Sequence, residues 1–104
     1  MFARNVHLQL KPNTAALFTQ TLEKDVLPLL RKQPGFHEEV AFIGTNEADA
    51  YAISFWESKE KAEAYNRAMY PTVLKALGNV VVGTPEVLSY EVCSSTIPKI
   101  TPRA

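Results

Sequence analysis

Trp56 and Tyr65 are the side chains best suited to small-molecule chemistry, because an indole and a phenol beside one cavity can stack on a planar aromatic compound and hydrogen-bond its oxygen. Core packing or a subunit contact accounts for them equally well, since aromatics at strand and helix spacing are more often structural. The same two accounts apply to Tyr51, Tyr70 and Tyr90. For a pocket between helices and sheet, the expected lining is Tyr65, Tyr51 and Tyr90 with Met69. His37, following Phe36 at a strand entrance, either overhangs that pocket's mouth or is a solvated turn residue. His7 offers a base near neutral pH, and Glu91 can orient it if the first and last strands are neighbours. A buried interface hydrogen bond explains that pair as simply, and no general base is assigned.

The residue types exclude several chemistries. Two His and one Cys with no close helical spacing give no dedicated metal site. The four glycines stand apart, so there is no phosphate-cradling loop, and there is no Gly-x-Ser-x-Gly turn. No cofactor is expected. Cys93 has no nearby cation in sequence and reads as an inert thiol.

These side chains need a scaffold, and periodicity supplies one. In Phe2–Leu10 the apolar Val6, Leu8 and Leu10 alternate with Asn5, His7 and Gln9, the pattern of a strand with one buried face. Lys11-Pro12-Asn13-Thr14 forms a turn and caps a helix through the Asn13 or Thr14 side chain. The stripe Phe18, Leu22, Val26 and Leu29 runs along that helix, with a bend expected where Pro28 meets the carbonyl of Lys24, and Pro34-Gly35 ends it. Strands near 38–44 and 51–57 flank a polar turn. Ser58 caps a second helix with Ala62, Tyr65 and Met69 inward, and Val73, Leu74 and Leu77 mark a short further helix. A loop over 79–85 leads to a last strand over 86–94, and the tail after it has two prolines and reads as extended.

The order β-α-β-β-α-β is that of an α+β, ferredoxin-like fold, in which helices cover one face of a four-stranded antiparallel sheet. Val6, Leu8, Leu10, Ile53, Phe55, Leu88, Tyr90 and Val92 are expected to face the helices. Asn5, His7, Gln9, Ser54, Trp56, Ser89, Glu91 and Cys93 then lie on the open face. An exposed Trp56 beside Ala41, Ile43 and Val87 predicts a homodimer paired through that face. A chain of 104 residues, 46% hydrophobic, suits one domain, read as 2–95 with a tail over 96–104. Eleven cations balance eleven anions, which gives no footprint for nucleic acid. The start lacks the apolar run of a secretory signal and no segment is long enough to span a membrane, so the cytoplasm is the expected compartment.

The junction Phe55-Trp56-Glu57-Ser58-Lys59-Glu60-Lys61-Ala62-Glu63-Ala64-Tyr65, with Lys11-Pro12-Asn13 after the first strand and Gln33-Pro34-Gly35-Phe36 after the first helix, resembles the antibiotic biosynthesis monooxygenase domain family. The resemblance covers about residues 2–95. It implies a dimeric α/β barrel with two sheets face to face and the tail placed to lie across the partner. It also implies a cofactor-independent monooxygenase that deprotonates a phenol-like, anthrone or polyketide-like aromatic substrate and lets its carbanion reduce dioxygen, with Tyr65, Trp56 and His37 positioning the ring. The family's haem-degrading branch is disfavoured. Its helix Trp is replaced by Tyr65, the region three turns on holds Val73, Leu74 and Lys75 with no His, and its first-strand Asn falls on Val6 rather than Asn5. Two alternatives stay open: a noncatalytic small-molecule binding or sensing dimer, and a purely structural dimer. A ligand-sized space with convergent polar groups separates both binding readings from the third.

Overall fold

The computed structural model describes residues 1–102. Strand β1 (Phe2–Leu10) is followed by one helical run made of α1 (Ala15–Thr21), a π-helical turn (Leu22–Val26) and α2 (Leu27–Arg31). Then come β2 (Phe36–Ile43), β3 (Asp49–Trp56), α3 (Lys59–Ala68), α4 (Tyr70–Ala76) and β4 (Val81–Glu91). The strands form one antiparallel sheet in the order β2-β3-β1-β4. This is the ferredoxin-like arrangement that the periodicity predicts. Among the described residues no helix is long and apolar enough to cross a membrane.

Local details depart from expectation for identifiable reasons. Thr14 does not cap α1 with its side chain; its hydroxyl donates back to the Lys11 carbonyl at 2.7 Å. Pro28 causes a π turn: the Leu27 amide donates to the Leu22 carbonyl, and proline enters the next turn where its missing amide has no partner to lose. Ser58 does cap α3, accepting from the Lys61 amide at 3.2 Å. β4 begins five residues before the expected start, because Gly83 and Pro85 form a bulge opposite Leu8 rather than a loop; Gly83 takes φ +67 there. The tail is not extended in the described residues. The Ile100 amide donates to the Ile97 carbonyl, Ile100 is buried, Lys99 reaches Glu38 on the far edge strand at 3.7 Å, and the Met1 amine donates to the Pro102 carbonyl at 2.8 Å. Arg103 and Ala104 lie outside the described residues.

The assignment of sheet faces is correct for β1 and reversed for β3 and β4. Toward the helices point Phe2, Arg4, Val6 and Leu8 of β1, and Ala50, Ala52, Ser54 and Trp56 of β3, all buried. Register places Val87, Ser89 and Glu91 of β4 on that side, and puts Tyr51, Ile53, Phe55, Leu88 and Tyr90 on the open face. Small residues on β3 let Phe18, Leu22, Val26 and Leu30 press close to the sheet. Most of the bulkier apolar groups of β3 and β4 stand on the open face, so alternation points to the wrong side.

Gly35 closes the turn into β2 with φ +81, and its carbonyl accepts from the Glu57 amide at 2.7 Å. A Cβ there would meet Lys61 Cβ and Cγ at 2.6 Å, in a backbone conformation that L side chains resist. Gly35→Ala is expected to cost about 2 kcal/mol in urea unfolding, and a cost below about 0.5 kcal/mol would contradict this packing.

Candidate active site

β1, phased by Val6, Leu8 and Leu10, puts Arg4 on its buried side, where the residue is 4% exposed. Its Nη2 donates to Asn66 Oδ1 of α3 at 2.7 Å, and its charge lies 5.2 Å from the Tyr65 ring centre and 4.5 Å from that of Tyr70. Two aromatic faces attract a desolvated cation. Among the described residues no carboxylate forms a salt bridge with Arg4. Burial lowers its pKa, partly offset by Tyr65, Tyr70 and Glu39. Burial also raises both phenols, so Tyr65 and Tyr70 stay protonated.

Trp56 is fully buried and stacks on Tyr65 at 4.8 Å, with Phe36 edge-on at 5.5 Å. Its indole N–H donates to Ser54 Oγ at 2.8 Å, which satisfies both groups. Register then lines up Glu39, Ser54, Arg4 and Ser89 as one polar row across all four strands, beneath the helices. Glu39 is half-buried as a residue, while its Oε2 is buried with no hydrogen-bond partner. Burial pushes its carboxyl up to about 7 against the pull of Arg4.

Three spaces adjoin this row. A cavity of about 30 Å³, walled by Val6, Leu22, Val73 and Leu77 with Arg4, Glu39, Ser54 and Tyr65, holds about one water-sized molecule. At the β4 edge, which the helices leave uncovered, a groove of about 240 Å³ lies between Phe2, Arg4, Val87 and Ser89 of the sheet and Lys59, Ala62, Glu63 and Asn66 of α3. At the β2 edge a groove of about 350 Å³ runs past Glu39, with Leu27, Arg31, Phe36 and His37. Arg4 divides the inner cavity from the first groove, and Glu39 divides it from the second. A ring system therefore fits at the β4 edge, and only a small molecule fits inside.

The structure brings Trp56 and Tyr65 together, and it places His37 on the rim of the β2-edge groove. Met69 packs against the core beside them without lining the inner cavity. Tyr51 and Tyr90 lie on the open sheet face, 38% and 50% exposed, so they do not line a helix–sheet pocket. His7 and Glu91 do not pair. Although β1 and β4 are neighbours, His7 sits opposite Glu86, whereas Glu91 sits opposite Phe2 on the other face. His7 instead stacks on Tyr51 at 4.5 Å and bonds Asp49 at 3.0 Å, and this bond, with Asn46, lowers the Asp49 pKa. Arg4, Glu39, Ser54 and Asn66 are the site residues that motif reading missed. For Arg4 a signal existed, because a cation stands in phase with Val6, Leu8 and Leu10 on the buried parity of its strand.

The family model described as antibiotic biosynthesis monooxygenase matches residues 1–77. A crystal structure of a protein of unknown function from Nitrosomonas europaea is similar at TM-score 0.76 and 18% identity, covering 93% of each chain. A monooxygenase from Streptomyces coelicolor, solved in complex with the ligand nanaomycin D, is similar at TM-score 0.77 and 19% identity, covering 93% of this chain and 91% of that one. No curated protein sequence matches significantly.

Proposed function

The chain belongs to the antibiotic biosynthesis monooxygenase family, and from that premise we propose that it is a cofactor-independent monooxygenase acting on a small aromatic, polyketide-like substrate with dioxygen. One observation carries the reading: Arg4 is an almost fully buried guanidinium, hydrogen-bonded to a neutral amide and facing a groove, with no carboxylate in salt-bridge distance among the described residues. An arginine is seldom buried unless it serves a charge, and a substrate oxygen that becomes anionic supplies one. The ring lies in the β4-edge groove with its oxygen toward Arg4 and Asn66. Loss of a carbon-bound proton forms an enolate, which Arg4 stabilises in a water-poor setting. The enolate gives an electron to dioxygen, the two radicals join, and loss of water from the hydroperoxide leaves a new carbonyl. The nanaomycin D bound by the Streptomyces relative favours a search among compounds of that size.

The reaction is tested with 1,8-dihydroxyanthrone as a probe in an oxygen electrode, with chelator present and no cofactor added. The native protein is expected to consume one dioxygen per anthrone and release the quinone well above the buffer rate. Consumption at the buffer rate contradicts the reading.

Two copies are inferred to pair through the open sheet face. Val40, Phe42, Tyr51, Leu88 and Tyr90 are exposed there, and Asn5 Oδ1 is buried without a donor. The support is these residues and not Trp56, which is fully buried on the helix side. Ile53→Lys, in a central strand of that face, is expected to weaken pairing more than about 100-fold, giving a single-chain mass by light scattering at micromolar concentration. An unchanged dimer mass would contradict the interface. A diffusible substrate and dioxygen are available in the cytoplasm, the proposed compartment.

A further inference from the structure

The Arg4–Asn66 hydrogen bond ties the sheet wall of the β4-edge groove to its α3 wall. Positions 59, 62, 63 and 66 are three and four residues apart, so they share the helix face that looks onto this groove. Among the described residues Glu63 is the one carboxylate on the lining. Arg4 and Lys59 bring positive charge, while the Asn66 amide and the Ser89 hydroxyl are too weakly basic to take a proton from carbon. Other acceptors stand elsewhere: Glu39 lies behind Arg4, His37 is at the opposite sheet edge, and His7 is on the open face.

Glu63 stands three residues before Asn66, about 4.5 Å along the helix axis. A carbonyl oxygen and the carbon across the same six-membered ring are separated by a similar span. With the oxygen at Arg4 and Asn66, that carbon lies level with Glu63. Lys59 Nζ lies 3.9 Å from Glu63 Oε1, close enough to hold the carboxylate at the groove and too far for a hydrogen bond that would occupy its lone pairs. The Glu63 side chain is 53% exposed, so it can exchange protons with solvent between turnovers.

Resting on the monooxygenase reading above, we propose that Glu63 is the proton acceptor of the reaction, taking the proton directly from the ring carbon opposite the oxygen held by Arg4 and Asn66. The C–H bond breaks, its proton passes to the Glu63 carboxylate, and the electron pair stays on the substrate as an enolate. A carboxylate can remove a proton from a carbon conjugated with a carbonyl when strong donors hold that oxygen, because they stabilise the enolate as it forms. The enolate gives one electron to dioxygen and the two radicals join in a C–O bond. The peroxide anion takes the proton back from Glu63. Glu63 then accepts the second proton of that carbon as the O–O bond breaks, and passes it to the departing hydroxide. CH2 and O2 thus become C=O and H2O.

The test separates proton removal from oxidation. Exchange of the methylene hydrogens of 1,8-dihydroxyanthrone is followed by NMR in D2O without oxygen, and oxygen consumption is followed in air. Both use the native protein, Glu63→Gln, Glu63→Asp and Glu60→Gln. The last removes an equal charge from an exposed position of the same helix that does not line the groove. Probe binding, read by quenching of the single tryptophan, Trp56, reports an intact site. The native protein and Glu60→Gln are expected to accelerate both reactions equally. Glu63→Gln is expected to lose about 100-fold or more in both with probe affinity held, while Glu63→Asp recovers part of the rate. Native exchange in Glu63→Gln, or an equal loss in Glu60→Gln, overturns the proposal and leaves the monooxygenase reading standing. Glu63-dependent exchange without oxygen consumption by the native protein sinks the monooxygenase reading and keeps Glu63 as acceptor. Neither reaction in the native protein overturns both.

Discussion

Arg4→Met is expected to lower anthrone-dependent oxygen consumption by about 100-fold to 1,000-fold while the protein stays folded. The guanidinium faces the groove, is desolvated, and is already held by Asn66 and two aromatic rings, so it need not reorganise as charge develops on a substrate oxygen. Methionine fills similar volume and keeps contact with the rings. The stability cost depends on Glu39. Arg4 pulls the Glu39 pKa down, so its loss lets that carboxyl rise further and remain neutral near pH 7. Neutralisation limits the penalty of a buried charge without its partner, which otherwise reaches about 3 to 5 kcal/mol. The variant is therefore expected to be near native stability at pH 6 and progressively weaker above pH 8. Steady-state rates and urea midpoints across that range check both halves. A native rate in a folded Arg4→Met would remove Arg4 from the chemistry.

Glu39→Gln is expected to make the folded protein more stable at pH 8 and to leave it unchanged at pH 4.5. Burial raises the Glu39 carboxyl from 4.5 to about 7, so between those values the folded chain binds a proton that the unfolded chain releases. Stability from this group is therefore greatest below pH 4.5, declines as pH rises through the window, and is at its lowest above pH 7. At 1.36 kcal/mol for each pH unit the full span corresponds to about 3 kcal/mol, and the partial exposure of the residue screens this to about 2 kcal/mol. The uncharged amide does not titrate, so the variant's urea midpoint should lack that decline. Parallel pH profiles for the two proteins would show that Glu39 ionises without cost and is not desolvated. This result is independent of turnover.

Element order and the Ser58 cap are legible from the sequence, because each depends on contacts close along the chain or on a strong period; the contact of Trp56 with Tyr65 is not, since it needs the indole on the helix side of β3. Nor are the faces of β3 and β4. Ile53 and Phe55 alternate with Ser54 and Trp56, and Leu88 and Tyr90 with Ser89 and Glu91, so bulk alone favours the wrong side. The decision falls to packing: alanines at 50 and 52 admit the helices, and the indole of Trp56 finds an acceptor in Ser54. This choice brings Tyr65 to Arg4 and sends Tyr51 and Tyr90 to the open face. Glu39 is hidden for a similar reason. β2 carries Val40 and Phe42 on one side and Ala41 and Ile43 on the other, so nothing local marks which neighbouring glutamate is buried. Gly83 and Pro85 carry the signals of a loop, and only pairing with β1 makes them a bulge.

A crystal structure of the protein with 1,8-dihydroxyanthraquinone, the product of the probe reaction, tests the central claim most directly. The account predicts the ring in the β4-edge groove between α3 and the sheet, with one oxygen within hydrogen-bond distance of the Arg4 guanidinium. A ring bound on the open sheet face among Tyr51 and Tyr90, with the Arg4 groove empty, would contradict it.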